Sequence, residues 1–249
     1  MSLPPVVSRA EWVAARKELL AEEKAMTRAR DRLNAKRRML PMVRVEKDYV
    51  FHGADGEASL LDLFEGRRQL IVRHFMFGPD WDTGCPSCTA AADELCEGIL
   101  RHLHARETTM AVVARAPYPT FAAYAAGHGW SFPVYSSHGS DFNYDYHVTL
   151  DESVAPLEYN YRTRAEHEAA GTTGYVEGEQ PIEQPGESFF LRDGAAVYHT
   201  YSAYARGAEA AVGGSSFFLD HTALGRQEAW EEPKGRADHP HGAVPNFAT

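Results

Sequence analysis

The chain has 249 residues, of which 44% are hydrophobic and 24% charged, a composition typical of globular proteins rather than of disordered or fibrous ones. Its 35 acidic and 25 basic residues give a formal net charge of -10, which disfavours nucleic acid as a partner because the phosphate backbone would be repelled. The sequence contains no run of about 18 apolar residues, so it predicts no membrane span.

The first part of the chain predicts one long helix. Ser8 and Glu11 have the spacing of a capping box, in which each side chain satisfies a free backbone amide at a helix start. The helix is expected to run from Arg9 to Arg38 and to end in a basic cluster, which the negative end of the helix dipole favours. We interpret residues 1–46 as a helical arm, and a homodimer formed through this arm is one hypothesis for its use.

Strands and helices are expected to alternate in the next part of the chain. The predicted elements are a hairpin around residues 54–56, a buried strand at 70–77, a loop at 78–84, a helix at 85–100, a strand at 109–115, a helix at 119–126 and a strand at 131–135. This alternation predicts an α/β fold with helices on both faces of the sheet.

The remainder is less regular. Residues 140–184 are polar, rich in tyrosine and without clear periodicity, so they are expected to be either functional or partly disordered. A hairpin is predicted from strands at 187–191 and 195–201, followed by a weakly indicated helix at 214–224. The sequence therefore suggests one main domain at 47–225 and a flexible tail, rich in glycine and proline, at 226–249.

Three cysteines are too few, and odd in number, for a secreted disulfide framework. The charged N-terminal residues also leave no apolar stretch for a signal peptide. We therefore expect a reducing compartment, the cytoplasm.

Two of the cysteines form the motif Cys85-Pro86-Ser87-Cys88 at the predicted start of a helix. The free amides and the positive dipole end at this position stabilise a thiolate, and proline is well tolerated at the first helical residue. Cys85, the outer sulfur, is predicted to attack a disulfide, and Cys88 lies one turn further on, within reach to resolve the mixed disulfide.

A zinc site is the main structural alternative for this motif. Such a site needs four ligands, and Cys96 lies about 12 Å from Cys88 along the axis of the single predicted helix. No second Cys-x-x-Cys pair is present. A redox dithiol is therefore favoured over zinc or two inert cysteines, and neither a metal nor a cofactor is predicted.

Several longer segments carry a resemblance to a known family. They are Phe-Met-Phe-Gly-Pro-Asp-Trp-Asp-x-Gly-Cys-Pro-Ser-Cys at 75–88, Gly-Trp-Ser-Phe-Pro at 129–133, Gly-Ser-Asp-Phe-Asn-Tyr-Asp at 139–145, Phe-Leu-Arg-Asp-Gly at 190–194 and His-Thr-Tyr-Ser-x-Tyr-Ala-Arg-Gly at 199–207. Together they resemble a bacterial domain-of-unknown-function family described as predicted dithiol-disulfide oxidoreductases of the thioredoxin-like superfamily. The resemblance spans residues from about 8 to about 230 and implies a thioredoxin-like central mixed sheet flanked by helices.

The resemblance also implies a substrate-binding surface around the dithiol. Thioredoxin-like folds place a cis-proline against the two cysteines, and Pro185 is the candidate here. Trp81, in the loop before the motif, is the candidate lid or specificity residue. With Pro86 and Ser87 of the motif itself, these residues complete the predicted substrate-binding set.

The predicted central strand departs from thioredoxin in one respect. Thioredoxin carries a buried acid there that assists proton transfer, whereas this strand carries Arg73 and His74. The proton acceptor must then come from elsewhere, and His74, Asp80 and Asp82 are the nearby options.

The sequence thus predicts a thiol-disulfide oxidoreductase whose substrate is a disulfide-containing protein or a small-molecule thiol, with a reductant that the sequence does not identify. Two alternatives stay open. Pro79 and Thr83 fall one residue short of the peroxiredoxin pattern Pro-x-x-x-Thr-x-x-Cys, which would make the protein a thiol peroxidase. Alternatively, the tyrosine-rich segment lines a binding groove and the dithiol is incidental.

Overall fold

An eight-stranded mixed sheet, flanked by helices, forms the centre of the protein in this computed structural model. The structure describes residues 6–205 together with residues 218, 219, 222, 224, 225, 227 and 234, and within these the side chains of Ser87 and Ala90 are left undescribed. The predicted helix at 214–224 and the predicted tail at 226–249 therefore lie largely outside the described residues.

The described helices are α1 (Arg9–Arg38), α2 (Pro86–Asp93), α3 (Glu97–His104), α4 (Tyr118–His128), α5 (Phe142–Asp145) and α6 (Arg164–Ala170). The strands are β1 (Val43–Arg44), β2 (Val50–Gly53), β3 (Gly56–Ser59), β4 (Gln69–His74), β5 (Thr108–Ala114), β6 (Val134–Ser136), β7 (Thr149–Leu150), β8 (Glu158–Tyr159), β9 (Arg162–Thr163), β10 (Ile182–Glu183), β11 (Gly186–Asp193) and β12 (Ala196–Tyr204). Short 3-10 helices cover Asp62–Phe64 and Thr173–Tyr175.

The strands of the main sheet follow the order β1-β12-β11-β4-β5-β6-β2-β3. β4, β5 and β6 are parallel, and the connections between them run through α2, α3 and α4. β11 pairs antiparallel with both β4 and β12. This order places a strand-helix-strand unit beside a C-terminal hairpin, with the dithiol motif directly after β4, and confirms the predicted thioredoxin-like α/β architecture.

The central residues of β4 are apolar because both faces of the strand are covered. Ile71 packs in a cluster with α3, α4 and Phe189 on one face of the sheet, while Leu70 and Val72 pack with Phe142 on the other. A strand covered on both faces needs apolar side chains in both alternating sets. The predicted buried strand is thus confirmed, although it ends at His74 rather than at residue 77.

The long N-terminal helix begins and ends at the predicted residues. Ser8 accepts from the amide of Glu11, and the Glu11 carboxylate accepts from the amide of Ser8, so the capping box is present. β1, which falls within the predicted arm, pairs antiparallel with β12 at the edge of the main sheet.

One prediction for the middle of the chain is wrong. The single helix expected at 85–100 is two helices, because the chain turns at Leu95 and Cys96 adopts an extended conformation as the N-cap of α3. The distance inferred along one helix axis between Cys88 and Cys96 therefore does not apply.

The segment at 140–184, expected to be either functional or partly disordered, is ordered by short elements. It contains α5, α6 and four two-residue strands, and its own buried cluster includes Val148, Leu157 and Tyr159. Each of these elements is too short to give a periodic sequence pattern, which is why pattern analysis missed them.

Candidate active site

The motif lies where the chain returns from the loop after β4. The amide of Cys85 donates a 2.9 Å hydrogen bond to the carbonyl of Met76, which brings the loop back against its starting point. Cys85 is the N-cap of α2 and Pro86 its first residue, as the sequence predicts. The backbone amide and the hydroxyl of Thr89 both donate to the Cys85 carbonyl at 2.9 Å, which fixes the first helical turn.

The two thiols of the motif face each other. Cys85 and Cys88 are both half-buried free cysteines joined by a side-chain hydrogen bond, and the backbone amide of Met76 donates to the Cys88 sulfur. Burial raises the pKa of the Cys88 thiol, and the neighbouring Cys85 adds to the rise. The Met76 amide and the Arg73 guanidinium favour the Cys88 thiolate, but burial outweighs them and keeps Cys88 protonated at neutral pH.

A buried ion pair lies beside Cys88 on the same face of the sheet. Arg73 donates from Nε and Nη2 to Oε1 of Glu187 on β11, at 3.1 and 2.7 Å, and from Nη1 to the carbonyl of Ala91 in α2 at 2.9 Å. Arg73 therefore connects β4, β11 and the helix that carries the dithiol.

Glu187 is a site residue that sequence reasoning missed. It is fully buried, and its Oε2 has no hydrogen-bond partner among the described residues. Burial raises the pKa of this carboxyl group, while the Arg73 guanidinium opposes the rise. An acid at the start of the apolar run Phe189–Leu191 is the signal that could have identified it.

His74 does not lie with the dithiol. As the neighbour of Arg73 in β4 it points to the opposite face, where it contacts Phe142 and Tyr146 and its Nε2 lies 2.8 Å from Ser188 Oγ. The suggestion that His74 serves as the proton acceptor for the cysteines is therefore wrong. Asp80 and Asp82, the other suggested acceptors, are exposed loop residues.

Trp81 lies in the loop before the motif and is 40% exposed. A Cβ atom on Gly78 would lie 2.8 Å from the Trp81 indole nitrogen, so the absence of a side chain at Gly78 lets the indole fold against its own loop. Gly84, directly before Cys85, is equally constrained, because a Cβ there would lie 2.5 Å from the ring of Phe75.

Pro185 directly precedes β11, at the end of the strand pair formed with β4. The expected cis bond is wrong: among the described residues the cis peptide bond is Gln180–Pro181 instead. The Pro185 carbonyl accepts a 2.9 Å hydrogen bond from the hydroxyl of Tyr159, and Tyr159 lies near Cys88.

The remaining predicted substrate-binding residues belong to α2. Pro86 is exposed at its first position, beside Cys85. The backbone of Ser87 follows in the first turn, and its side chain lies outside the described part of the structure. Across the described ranges, no three His, Cys, Asp or Glu side chains are grouped closely enough to hold a metal ion.

The fold and the paired cysteines define a thioredoxin-like domain with a dithiol motif at a helix start. The chain belongs to the family described as bacterial protein of unknown function DUF899, whose profile matches residues 1–241. No curated protein sequence matches the chain. Within the described residues, no helix is both long and apolar enough to cross a membrane.

Several solved structures are similar at low sequence identity. Peroxidoxin BcpB from Mycobacterium tuberculosis is 11% identical with a TM-score of 0.42, over 70% of this chain and 89% of that one. Peroxiredoxin Q from Xanthomonas campestris is 9% identical with a TM-score of 0.39, over 66% and 84%. BsSco, of the Sco family of cytochrome c oxidase assembly proteins, is 16% identical with a TM-score of 0.36, over 68% and 86%.

Proposed function

We propose that this protein is a thiol-disulfide oxidoreductase in which Cys85 attacks and Cys88 resolves. The observation that carries the proposal is the hydrogen bond between the two thiols in the first turn of α2, with burial raising the pKa of Cys88. Two thiols in hydrogen-bonding contact can close to a disulfide with little movement, and a protonated Cys88 leaves the first attack to Cys85.

The reaction consists of two exchanges. The Cys85 thiolate attacks one sulfur of a substrate disulfide, forming a mixed disulfide and releasing the other substrate sulfur as a thiolate that takes up a proton. Cys88 then loses its proton and attacks Cys85, which forms the Cys85–Cys88 disulfide and releases the second substrate thiol. The substrate disulfide is reduced by two electrons and the protein dithiol is oxidised by two.

The surroundings of the two sulfurs suit these steps. The first amides of α2 have no acceptor within the helix and are free to donate to the substrate or to the sulfur that exchanges at Cys85. The Arg73 guanidinium favours the Cys88 thiolate that the second step requires. Exposed Pro86 and half-exposed Trp81 lie on either side of Cys85 in the chain and are the proposed contacts for a protein or small-molecule disulfide. Half-buried Pro185, directly before β11, is the third proposed contact.

Single-turnover reduction of a protein disulfide, such as that of insulin, tests the proposal with fully reduced protein and no added reductant. Cys85→Ser should abolish the reduction. Cys88→Ser should accumulate a mixed disulfide between Cys85 and the substrate, detected as an increase in mass. Cys96→Ser is the matched control, since Cys96 is exposed at the start of α3, and this variant should react like the wild type.

The other outcomes separate the alternatives. Reduction of hydrogen peroxide that needs Cys85 but not Cys88, without reduction of disulfides, would contradict the proposal and identify a thiol peroxidase. Unchanged behaviour of both variants towards disulfides and peroxide would show that the dithiol is incidental and would support a binding module.

A further inference from the structure

α1 is a long helix that the described remainder of the chain hardly covers. Its 30 residues span about 45 Å, and Asn34 and Arg38, close to its end, are its buried residues. Residues 21–30 are all exposed. Isolated helices are marginal in water, and helices in proteins owe most of their stability to tertiary packing, so the exposed part of α1 needs a partner.

A regular apolar stripe runs along this exposed part. Trp12, Leu19, Met26 and Leu33 follow one another at intervals of seven residues, and their side chains are 48, 51, 74 and 48% exposed. A seven-residue apolar repeat is the pattern by which two helices pack in a coiled coil. The second position of the repeat, three residues further on, alternates between alanine and a charged residue: Ala15, Glu22, Ala29 and Lys36. The two alanines allow close approach of another helix.

The uneven distribution of acidic and basic side chains along α1 favours an antiparallel second copy of this helix as the partner of the stripe. Residues 9–24 carry four acidic and four basic side chains, whereas residues 25–38 carry one acidic and six basic side chains. Two copies of α1 in parallel would place their basic halves side by side. In the antiparallel orientation, each basic half lies against the half that carries the glutamates.

We propose that α1 forms an antiparallel homodimer through this stripe. The favourable register places Trp12 opposite Ala29 of the partner subunit and Met26 opposite Ala15 of the partner subunit, so that these two large side chains each meet a small one, while Leu19 lies opposite Glu22 of the partner subunit. Because the pairing is two-fold symmetric, each contact occurs twice.

The same register aligns charges beside the stripe. Glu11 lies beside Arg32 of the partner subunit, and Arg16 lies beside the partner's Glu23. Within one chain, Arg16 and Glu23 already form a 2.7 Å ion pair on the exposed surface of α1, so their side chains are available at this face.

The mass of the full-length protein in solution, measured by light scattering over a range of concentrations, tests the proposal. The wild type should be a dimer, and Leu19→Lys combined with Met26→Lys should be a monomer with unchanged helix content. Leu20→Lys combined with Thr27→Lys is the matched control, because it adds the same charges one residue away from the stripe on exposed positions. This control should stay dimeric.

A charge exchange tests the orientation. Arg16→Glu alone should raise the dimer dissociation constant about tenfold or more, and adding Glu23→Arg should restore it, because both members of each antiparallel pair are then reversed. In a parallel pair Arg16 would face Glu11 of the partner subunit, so Glu11→Arg would rescue Arg16→Glu there, whereas in the antiparallel pair it adds a repulsion with Arg32 of the partner subunit. Rescue by Glu11→Arg would therefore overturn the antiparallel orientation. The proposal would be overturned if the wild type is a monomer or if the variant with Leu19→Lys and Met26→Lys stays dimeric. It would also be overturned if Glu23→Arg fails to restore the dimer weakened by Arg16→Glu.

Discussion

The hydroxyl of Tyr159 donates to the carbonyl of Pro185 at 2.9 Å and accepts from the amide of Ala205 at the same distance. Tyr159 is buried in the cluster formed by the segment at 140–184 and lies near Cys88. This segment therefore fixes the backbone on the β11 side of the dithiol. The Tyr159 side chain thus packs in the core and positions the backbone at Pro185, and it does not line an open groove.

Replacement of Tyr159 by Phe should loosen Pro185. The variant loses two hydrogen bonds and leaves two backbone groups without this partner, so we expect the free energy of unfolding to fall by about 1–3 kcal/mol. The KM for exchange with a protein disulfide should rise, while the rate at which iodoacetamide alkylates the thiols should stay unchanged. Tyr161→Phe is the control, since this exposed tyrosine also donates to a backbone carbonyl, that of Ser202. Equal loss in both variants would contradict a specific role for Tyr159.

Replacement of Glu187 by Gln should change the chemistry of Cys88. The glutamine keeps an oxygen that can accept from Arg73 but removes the negative charge, so the guanidinium is no longer neutralised beside the thiol. We expect the pKa of Cys88 to fall and the resolving step at pH 7 to become at least several-fold faster. Arg73→Met should have the opposite effect on the pKa of Cys88.

The rate at which Cys88 displaces a preformed mixed disulfide on Cys85, measured against pH, checks this prediction. Both variants break a buried ion pair and should lower the free energy of unfolding by about 3–5 kcal/mol, so the rates must be measured where each variant is folded. Loss of stability alone would slow both variants alike. Opposite shifts of the pH profile are the result that only an electrostatic role produces.

The parts of the fold that the sequence predicts well are those with strong local signals. The ends of α1 follow from the capping box and the terminal basic cluster, and β4, β5, β11 and β12 follow from apolar runs bounded by turn residues. The position of the motif at a helix start follows in the same way, because Pro86 is favoured at a first helical residue.

The remainder depends on tertiary contacts that no local pattern records. The break between α2 and α3 has no glycine or proline at Leu95 or Cys96, and the buried Leu95 side chain packs into the core at the turn. The pairing of Arg73 with Glu187 joins residues 114 positions apart in the chain. The same holds for the contact between Tyr159 and Pro185, which lie in segments without shared periodicity.

Replacement of Gly84 by Ala should displace the chain that leads into Cys85 or the aromatic rings packed against it. A Cβ at this buried position would lie 2.5 Å from the Phe75 ring and 3.3 Å from that of Tyr124, so either the rings or the chain entering Cys85 must shift. We expect a loss of about 1–3 kcal/mol in the free energy of unfolding, measured by chemical denaturation. Gly127→Ala is a control of opposite sign: it lies in α4 with nothing within 4 Å of the added Cβ, and it should stabilise by about 0.5–1 kcal/mol. Equal effects of the two substitutions would show that the close contact at Gly84 is unimportant.

The stability of the protein should fall in mild acid because of His74. Burial, with a smaller contribution from His199, lowers the pKa of His74 to about 3, and burial also lowers the pKa of His199. His74 packs against Phe142 and Tyr146 and bonds to Ser188, none of which carries a negative charge at neutral pH. The folded protein therefore keeps this ring neutral.

The unfolded chain binds a proton at His74 below its ordinary pKa of about 6.5, whereas the folded chain does so only near 3. The stabilisation is thus complete above pH 6.5 and is lost as the pH falls towards 3, at up to about 1.4 kcal/mol per pH unit for one such group. Denaturation between pH 7 and 5 measures this slope. His74→Gln should flatten it by about 1 kcal/mol per pH unit, while His138→Gln, at an exposed position, should leave it unchanged. An unaltered slope in His74→Gln would mean that the ring takes up its proton in the folded protein as readily as in the unfolded chain.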